Sequence, residues 1–231
     1  MPNHDLIYEQ EAHKYHQLIS KQHELHTYVD EIRSYQGLDI VDIGAGTGRL
    51  AVALAPKARS ITALDGAEAM LAVAASRLSQ TAGHDNWRTA VADNRSLPLA
   101  DESADLIVAG WSICYLGSTN VPHWQSNIRE VMNEIERVLR PGGTVIIFET
   151  MGTAAATPSA PDFLQSYYDT LVQEYGFSHR SIRTDYVFDD LGQAEELTRF
   201  FFGDIIADQV VANNWTTLPE CAGIWWRHAK P

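Results

Sequence analysis

The chain has 231 residues, of which 45% are hydrophobic and 20% charged, a composition typical of a folded domain with a sizeable core and not of a disordered chain. Its formal net charge of −13 would repel the phosphates of nucleic acids and anionic lipid surfaces, so we expect neither nucleic acid nor a membrane as a partner. The two cysteines show no CxxC pattern, the first residues show no signal-peptide layout, and no apolar run reaches the roughly 18 residues of a membrane span, so we expect a cytoplasmic protein.

Elements of the first two thirds of the chain predict an α/β fold. Apolar residues at three-to-four spacing predict one helical segment over 6–35, which ends at Gly37. Short β-rich runs then predict strands at 38–43, 60–65, 87–93, 105–110 and 143–149, with helices at 47–55, 67–80 and 123–139 between them. Strands that alternate with helices of this length indicate βαβ units around a parallel sheet.

The last third of the chain is richer in aromatic residues. Small residues and a proline predict a loop over 151–160, before a helix at about 161–175. Alternation from Ser181 to Phe188 predicts a sixth strand. A helix over 191–202 and a last strand over 222–228 complete the prediction, and no internal repeat is visible.

A glycine-rich segment, Asp42-Ile43-Gly44-Ala45-Gly46-Thr47-Gly48, lies where the first predicted strand meets the next helix. Glycines are favoured there because the chain turns sharply and because a ligand can approach a backbone that has no Cβ. A dinucleotide fingerprint needs G-x-G-x-x-G, but here the third glycine position holds Arg49 and the glycine comes one residue early. A nicotinamide-dependent oxidoreductase therefore remains an alternative that this spacing opposes.

The D-x-G-x-G-x-G pattern resembles motif I of the class I S-adenosylmethionine-dependent methyltransferases. Three further features resemble the family in the same order: Asp65 ends the second strand, Asp93 and Asn94 follow the third, and Leu139-Arg140-Pro141-Gly142-Gly143 precedes the fifth. The resemblance covers about residues 38–149. It implies a Rossmann-like three-layer α/β sandwich with a seven-stranded, mostly parallel sheet and an antiparallel last strand, together with an N-terminal helix and an inserted helical cap.

The same resemblance implies a single domain over 1–231, with a helical lid at 1–36, a cofactor-binding core at 37–150, and a substrate-side cap with the last strands at 151–231. It implies S-adenosylmethionine as cofactor and S-adenosylhomocysteine as product. In the family, the acid at the position of Asp65 binds the ribose hydroxyls and the acid at Asp93 the adenine amino group, while Asp42 would favour the positive end of the cofactor directly or through water. The candidate cofactor-binding residues are Asp42, Gly44, Ala45, Gly46, Gly48, Asp65, Gly66, Met70, Asp93, Asn94, Trp111 and Tyr15.

The three acids, Met70 and Trp111 also have purely structural alternatives. Asp42 and Asp65 could cap the turns or helices that follow them, and Asp93 could be a solvated loop acid. Met70 and Trp111 could be ordinary core. Placement of three acids at the ends of successive parallel strands favours the binding role, because ligands bind along that edge.

The methyl acceptor and its reacting atom (O, N or C) stay open in the sequence, and we expect a small molecule. A general base is needed only if the acceptor does not ionise by itself. The candidates for catalytic residues are His16, Tyr115, His123 and Glu149. We expect no metal, because the histidines of residues 1–26 lack a converging set of ligands. A non-catalytic module that binds adenosylmethionine or a partner protein is a second alternative, and aromatic residues of the tail could form a homodimer face.

Overall fold

The computed structural model describes residues 2–81 and 85–230. Its helices are α1 (His4–Gln10), α2 (Ala12–Ile19), α3 (His26–Ile32), α4 (Arg49–Leu54), α5 (Glu68–Thr81), α6 (Cys114–Gly117), α7 (Trp124–Val138), α8 (Asp162–Gln173), α9 (Leu191–Phe202) and α10 (Asp204–Ala212). Its strands are β1 (Asp39–Ile43), β2 (Ser60–Asp65), β3 (Trp87–Val91), β4 (Ala104–Gly110), β5 (Leu139–Thr153), β6 (Ser178–Arg183), β7 (Tyr186–Val187), β8 (Thr217–Leu218) and β9 (Glu220–His228).

Seven of the strands form one twisted sheet in the order β3-β2-β1-β4-β5-β9-β6. Strands β1 to β5 pair in parallel, and β9 pairs antiparallel with both β5 and β6. The predicted Rossmann-like sheet with an antiparallel last strand is therefore confirmed. The strand order reverses between β1 and β4, which opens a crevice at the carboxyl ends of these two strands.

Alternate residues of the central strands build a core on each face of the sheet. Val41 and Ile43 point to one face, where α7 and α8 cover them, whereas Ile40 points to the other face, which α3 and α4 cover. Nearly every residue of β4 is buried, because helices lie on both sides. The helices thus leave the carboxyl edge of the sheet as its accessible border.

A smaller core lies over that carboxyl edge and forms the cap. Leu18 of α2 packs there with Tyr186, Leu197 and Val210, which belong to β7, α9 and α10. The cap therefore combines the N-terminal helices with residues that follow β6. The expected cap after the fifth strand is present, but it depends on the start of the chain as well.

The prediction of one helical segment over 6–35 is wrong. The chain forms α1, α2 and α3, and it leaves the helical conformation between Ser20 and Leu25. There the Gln22 amide donates to the carbonyl of Thr184 (2.5 Å), and the carbonyl of Lys21 accepts from Val187 N (2.8 Å). Tertiary pairing with the β7 region thus replaces helical hydrogen bonds that the apolar spacing alone favours.

The strand predicted over 181–188 is also divided. Residues of β6 pair with β9 in the main sheet, whereas β7 pairs with β8 in a separate two-stranded sheet. Between them, Thr184 N donates to the carbonyl of Glu220, and the carboxylate of Asp185 accepts from Glu220 N (2.9 Å each). Side chains alternate in both strands, so the period could not reveal the change of sheet.

The segment predicted as a loop over 151–160 is partly strand. Strand β5 continues to Thr153, which pairs with Glu220 after an irregularity in the register, and it begins at Leu139 rather than at residue 143. The glycine-containing turn at 141–143 interrupts the pairing of β5 with β4, which holds at Leu139 and resumes at Thr144. Because β5 extends to Thr153, both Thr150 and Thr153 lie directly beneath the cap.

An ionic cluster holds together the amino ends of the central strands. Asp39 at the start of β1 is bonded by Arg59 and by the Ser60 hydroxyl (2.7 Å), and Arg140 bridges Asp39 (2.9 Å) and Asp105 (2.8 Å). The Asp39 side chain is only 20% exposed, so water screens these pairs incompletely. The Arg59 guanidinium, with Ser60 and Arg140, holds the pKa of Asp39 well below its usual range.

We expect Asp39→Asn to lower the free energy of unfolding by about 1–3 kcal/mol at pH 7, because charge-assisted hydrogen bonds are lost. A carboxyl whose pKa is depressed in the folded state stabilises the fold at pH values above its ordinary pKa of about 4. This contribution to stability is lost progressively as the pH falls below that value. Urea unfolding at pH 7 and pH 3 measures both quantities. Asp30→Asn, an exposed position on α3, is the control, and an equal loss for Asp39→Asn at both pH values would contradict the ionic explanation.

Candidate active site

Two adjoining cavities lie at the carboxyl edge of the sheet. The first has a volume of about 910 Å³ and the second about 670 Å³, within the usual range for small-molecule sites. The first extends over the ends of β2 and β3, and the second lies beneath the cap. The residues that line both are Tyr8, Tyr15, Gly44, Gly46, Gly110, Trp111 and Tyr115.

The glycine loop after β1 separates the floors of these cavities. Gly44 has φ +65°, and a Cβ built there would lie 2.1 Å from the Cβ of Ser112. No side chain fits at this position, because the loop after β4 passes directly against it. Gly46 has φ +54°, and a Cβ there would meet only Met70 Cε at 3.4 Å and Tyr15 at 4.0 Å, so its backbone faces open space in the cleft.

Asp65, at the end of β2, connects two loops of the first cavity. One carboxylate oxygen accepts from Gly46 N and the other from Ala67 N, each at 2.8 Å. Each oxygen keeps a further lone pair, and the residue lines the first cavity with Gly66 and Met70. Burial raises the pKa of Asp65, while the backbone donors act in the opposite direction. The arrangement can bind two neighbouring hydroxyl groups.

Asp42 is buried at the end of β1 and borders the second cavity together with Ala45. Its Oδ2 accepts from Ala51 N at 2.9 Å, and its Oδ1 has no hydrogen-bond partner in the described part of the chain. Burial raises the pKa of Asp42 to about 8. A buried carboxyl oxygen without a partner suits a ligand that brings positive charge or a donor.

Asp93 and Asn94 lie on the opposite wall of the first cavity. Arg95 already engages both carboxylate oxygens of Asp93, through Nε at 3.0 Å and Nη2 at 2.6 Å, and it holds the pKa of Asp93 below its usual value. Asp93 therefore comes to the cleft, as the sequence predicts, but with part of its bonding capacity used. Asn94 lies near the glycine loop, 3.5 Å from the point where a Cβ of Gly44 would be.

Gly48 differs from the other predicted glycines, because it lines neither cavity. It precedes α4 with φ +81°, and a Cβ there would lie 3.2 Å from the Cβ of Ala74 on α5. Its position allows α4 and α5 to approach closely. The contribution of Gly48 to the site is therefore indirect.

Three tyrosines and a histidine cover the entrance. The hydroxyls of Tyr8 and Tyr115 share a hydrogen bond of 2.5 Å, and Tyr115 also bonds His4 Nδ1 at 3.2 Å. Tyr8 and Tyr15 meet edge to face with ring centroids 5.4 Å apart. Tyr115 and Tyr15 thus reach both cavities, as the candidates Gly44, Gly46 and Trp111 also do.

The other catalytic candidates do not line either cavity. Glu149 is fully buried, and its Oε1 accepts from Cys114 N (2.9 Å) and the Tyr167 hydroxyl (3.4 Å), so it anchors the start of α6 instead of facing an acceptor. Burial raises the pKa of Glu149 to about 7. His123 is an exposed residue before α7, in the role of a helix-flanking residue.

His16 lies behind the glycine loop, with its Nδ1 3.4 Å from the Thr47 hydroxyl. Burial and the nearby Arg77 lower the pKa of His16 to about 4, so its ring is neutral at physiological pH. The structure thus places His16 where it supports the loop and does not contact either cavity.

Sequence reasoning missed two charged residues of the second cavity. Arg49 appeared only as a departure from the dinucleotide fingerprint, and Glu220 was not singled out. The guanidinium carbon of Arg49 lies 4.2 Å from the centroid of the Trp111 ring, at the distance of a cation–π contact. The sequence feature that could have identified Arg49 as a cavity residue is its long basic side chain directly after the glycine loop.

In 2–81 and 85–230, no group of three or more His, Cys, Asp or Glu side chains is arranged to hold a metal ion, and the absence of a metal stays a prediction. None of the helices within these ranges is long and apolar enough to cross a bilayer.

Residues 41–147 match the family described as "Methyltransferase domain". A demethylmenaquinone methyltransferase of Desulfitobacterium hafniense is 31% identical over 143 residues, 61% of this chain and 51% of that protein. Malonyl-[acyl-carrier protein] O-methyltransferase 1 of Coxiella burnetii is 28% identical over 173 residues, 74% of this chain and 49% of that protein. The chain thus spans about half the length of these curated relatives.

The fold has solved counterparts. The YcgJ protein of Bacillus subtilis superimposes with a TM-score of 0.59 at 16% identity, covering 90% of this chain and 99% of that chain. A SAM-dependent methyltransferase of Aquifex aeolicus gives a TM-score of 0.56 at 15% identity, covering 89% and 90%. Over residues 41–147, which contain the glycine loop and the acids of β1 and β2, the chain is thus similar in sequence to methyltransferases, and its seven-stranded sheet has the fold of these solved structures.

Proposed function

We propose that the protein transfers a methyl group from S-adenosylmethionine to a small-molecule acceptor. One observation carries the proposal: the glycine loop joins a cavity that contains Asp65 to an apolar cavity beneath the cap. Two ligands bound there would meet at the loop, which is the arrangement that direct transfer between them requires. The names of the curated relatives, which mention a malonyl carrier protein and demethylmenaquinone, support methyl transfer but do not select the acceptor atom.

The residues of the first cavity fit the cofactor. Asp65 has free lone pairs for the two ribose hydroxyls, Met70 is buried beneath the cavity, and the backbone at Gly46 is open to a close approach. Asn94 and Asp93 would border the adenine. When bound, the cofactor supplies a methyl group that its positively charged sulfur makes electrophilic.

Asp42 would interact with the positive end of the cofactor. Its buried Oδ1 has no hydrogen-bond partner in the described chain, so it is available to interact with a cation. A nearby positive charge would lower the pKa of Asp42 and return its carboxyl to the ionised form. In the protein without ligand, burial instead favours the protonated form. Binding would therefore relieve an electrostatic cost that the fold otherwise carries.

The tyrosines would position the acceptor. The Tyr115 hydroxyl borders both cavities and is held by Tyr8 and His4. Burial raises the pKa of Tyr115 well above its usual value, so the group stays protonated and acts as a hydrogen-bond partner rather than a base. Positioning of two reactants in this way can account for a large part of the rate increase.

The remaining expectations are part of the same proposal. The chain would work as one domain, with a lid at 1–36, a core at 37–150 and a cap at 151–231. The exclusion of nucleic acid and membranes as partners rests on the net charge of −13, and a cytoplasmic location rests on two cysteines without a disulfide or CxxC pattern. Exposed Ile205 and Val211 on α10 are where a second copy would dock if the protein is a homodimer.

Calorimetric titration with S-adenosylmethionine tests the proposed function. We expect binding by the wild-type protein and an affinity at least about tenfold lower for Asp65→Asn, because the amide cannot accept all the hydrogen bonds of a carboxylate. Asp169→Asn, an exposed position on α8, should bind like the wild type. NADH should not bind.

Folded wild-type protein that fails to bind S-adenosylmethionine would overturn the proposal. Equal affinity of Asp65→Asn and wild type would withdraw the role of Asp65 alone. Binding of NADH in place of S-adenosylmethionine would favour the oxidoreductase alternative. Binding without any methylated product in a broad acceptor screen would favour the non-catalytic module.

The buried carboxyl of Asp42 predicts a pH effect on the ligand-free protein. A carboxyl whose pKa is raised in the folded state stabilises fully below its ordinary value near 4, and this contribution is lost as the pH rises through about 8. Asn has nearly the same shape as Asp but does not lose a proton in this pH range. Between pH 5 and pH 8.5, the free energy of unfolding of Asp42→Asn should therefore increase by at least about 1 kcal/mol relative to the wild type.

Urea unfolding at the two pH values measures this difference. Asp30→Asn should show no comparable change. A difference between Asp42→Asn and wild type that is independent of pH would show that the Asp42 carboxyl is already ionised in the free protein.

A further inference from the structure

The second cavity is mostly apolar, but its lining includes the carboxyls of Asp42 and Glu220 and the guanidinium of Arg49. Its apolar and aromatic lining includes Ile19, Leu50, Trp111, Phe163, Tyr186 and Phe202. Arg49 enters from the start of α4 and Glu220 from the start of β9. Such a chamber suits a small apolar molecule with a few convergent polar contacts.

The Arg49 guanidinium reaches into the protein without a charged partner among the residues described. Its Nη2 is shielded from solvent and has no hydrogen-bond partner, and none of the ion pairs within residues 2–81 and 85–230 includes it. The Trp111 ring supports one face of the guanidinium, which leaves its edge available. A buried guanidinium without a counter-ion is costly, so a ligand that supplies a negative charge would be stabilised there.

Glu220 does not neutralise this charge. Its Oε1 accepts from the Thr150 hydroxyl at 3.2 Å, which directs that oxygen toward β5, and its Oε2 has no partner among the residues described. Burial raises the pKa of Glu220 to about 8, so its carboxyl is mostly protonated at neutral pH. In the part of the chain that the structure describes, Arg49 and Glu220 therefore do not pair with each other.

The Arg49 side chain belongs to the acceptor side of the site. Arg49 borders only the second cavity, whereas the Asp65 region borders the first.

We propose that Arg49, supported by Trp111 and opposite Glu220, binds a carboxylate group of the methyl acceptor, so that the acceptor is a small apolar molecule that carries one carboxylate. This inference rests on the proposed function, because it assigns the second cavity to the acceptor. The planar guanidinium edge can donate two parallel hydrogen bonds to a carboxylate, which an amide of the same shape cannot reproduce. The apolar lining would hold the rest of the acceptor.

The test uses the full chain saturated with S-adenosylhomocysteine and three probe pairs: phenylacetate, 4-phenylbutyrate and decanoate, each with its amide. Calorimetry should show at least one acid binding about tenfold or more tightly than its amide. Arg49→Gln should remove this preference, and Arg129→Gln, an exposed arginine on α7, should keep it. Glu220→Gln should also keep it, because the carboxyl that it replaces is neutral.

Other results would overturn the inference. No preference for any acid over its amide in the wild type would do so, as would a preference that survives Arg49→Gln. Tighter binding of the matching amines, lost in Glu220→Gln, would instead assign a cation site. A large loss of S-adenosylhomocysteine affinity in Arg49→Gln would mean that the arginine binds the carboxylate of the cofactor.

The proposed function and this inference fail in different ways. Wild-type protein that does not bind S-adenosylhomocysteine contradicts the proposed function and the inference with it. Wild-type protein that binds S-adenosylhomocysteine normally but treats acids and amides alike contradicts only the inference.

Discussion

The hydrogen bonds of the Asp65 carboxylate are the constraint on which the rest of the site depends. By accepting from Gly46 N and Ala67 N, this one side chain joins the loop after β1 to the turn after β2. The glycine loop then has a defined position between the two cavities. Its glycines have positive φ angles, which residues with a side chain rarely adopt. Since a side chain of the neighbouring strand β2 holds the loop, the glycines of the loop need no side chains of their own and leave room for a ligand.

The unpartnered polar atoms of the site lie on one side of that loop. Asp42 Oδ1, Arg49 Nη2 and Glu220 Oε2 are buried without hydrogen bonds in the described chain, and all three residues border the second cavity. Most buried polar groups in proteins are paired, so a group of unpaired ones at a cavity indicates a site that ligands complete. The Asp39 cluster at the opposite edge of the sheet differs, because its arginines and carboxylates form ion pairs with one another.

The sequence predicts the sheet and the first cavity well, because both follow from local rules. Asp42, Asp65 and Asp93 end or follow successive parallel strands, and such ends meet at one edge whatever the details of packing. The cap was predicted less well. Gln22 leaves a helical pattern to bond Thr184, which is 162 residues away, and no local period contains that contact. The prediction that Glu149 faces the acceptor was wrong for a related reason. Glu149 ends the apolar segment of β5, but the strand continues to Thr153 and the Glu149 side chain bonds the start of α6.

Arg49 connects the sequence pattern to the chemistry of the cap. In a dinucleotide fold, the third glycine allows the helix to pack closely against its neighbours. Here Gly48 provides a close approach, since a Cβ there would lie 3.2 Å from the Cβ of Ala74. The shift of this glycine by one residue leaves position 49 without that packing requirement, so a long side chain can extend from the start of α4 across Trp111 into the second cavity. The departure from the dinucleotide pattern is thus also what allows a charged group to reach the acceptor side of the glycine loop.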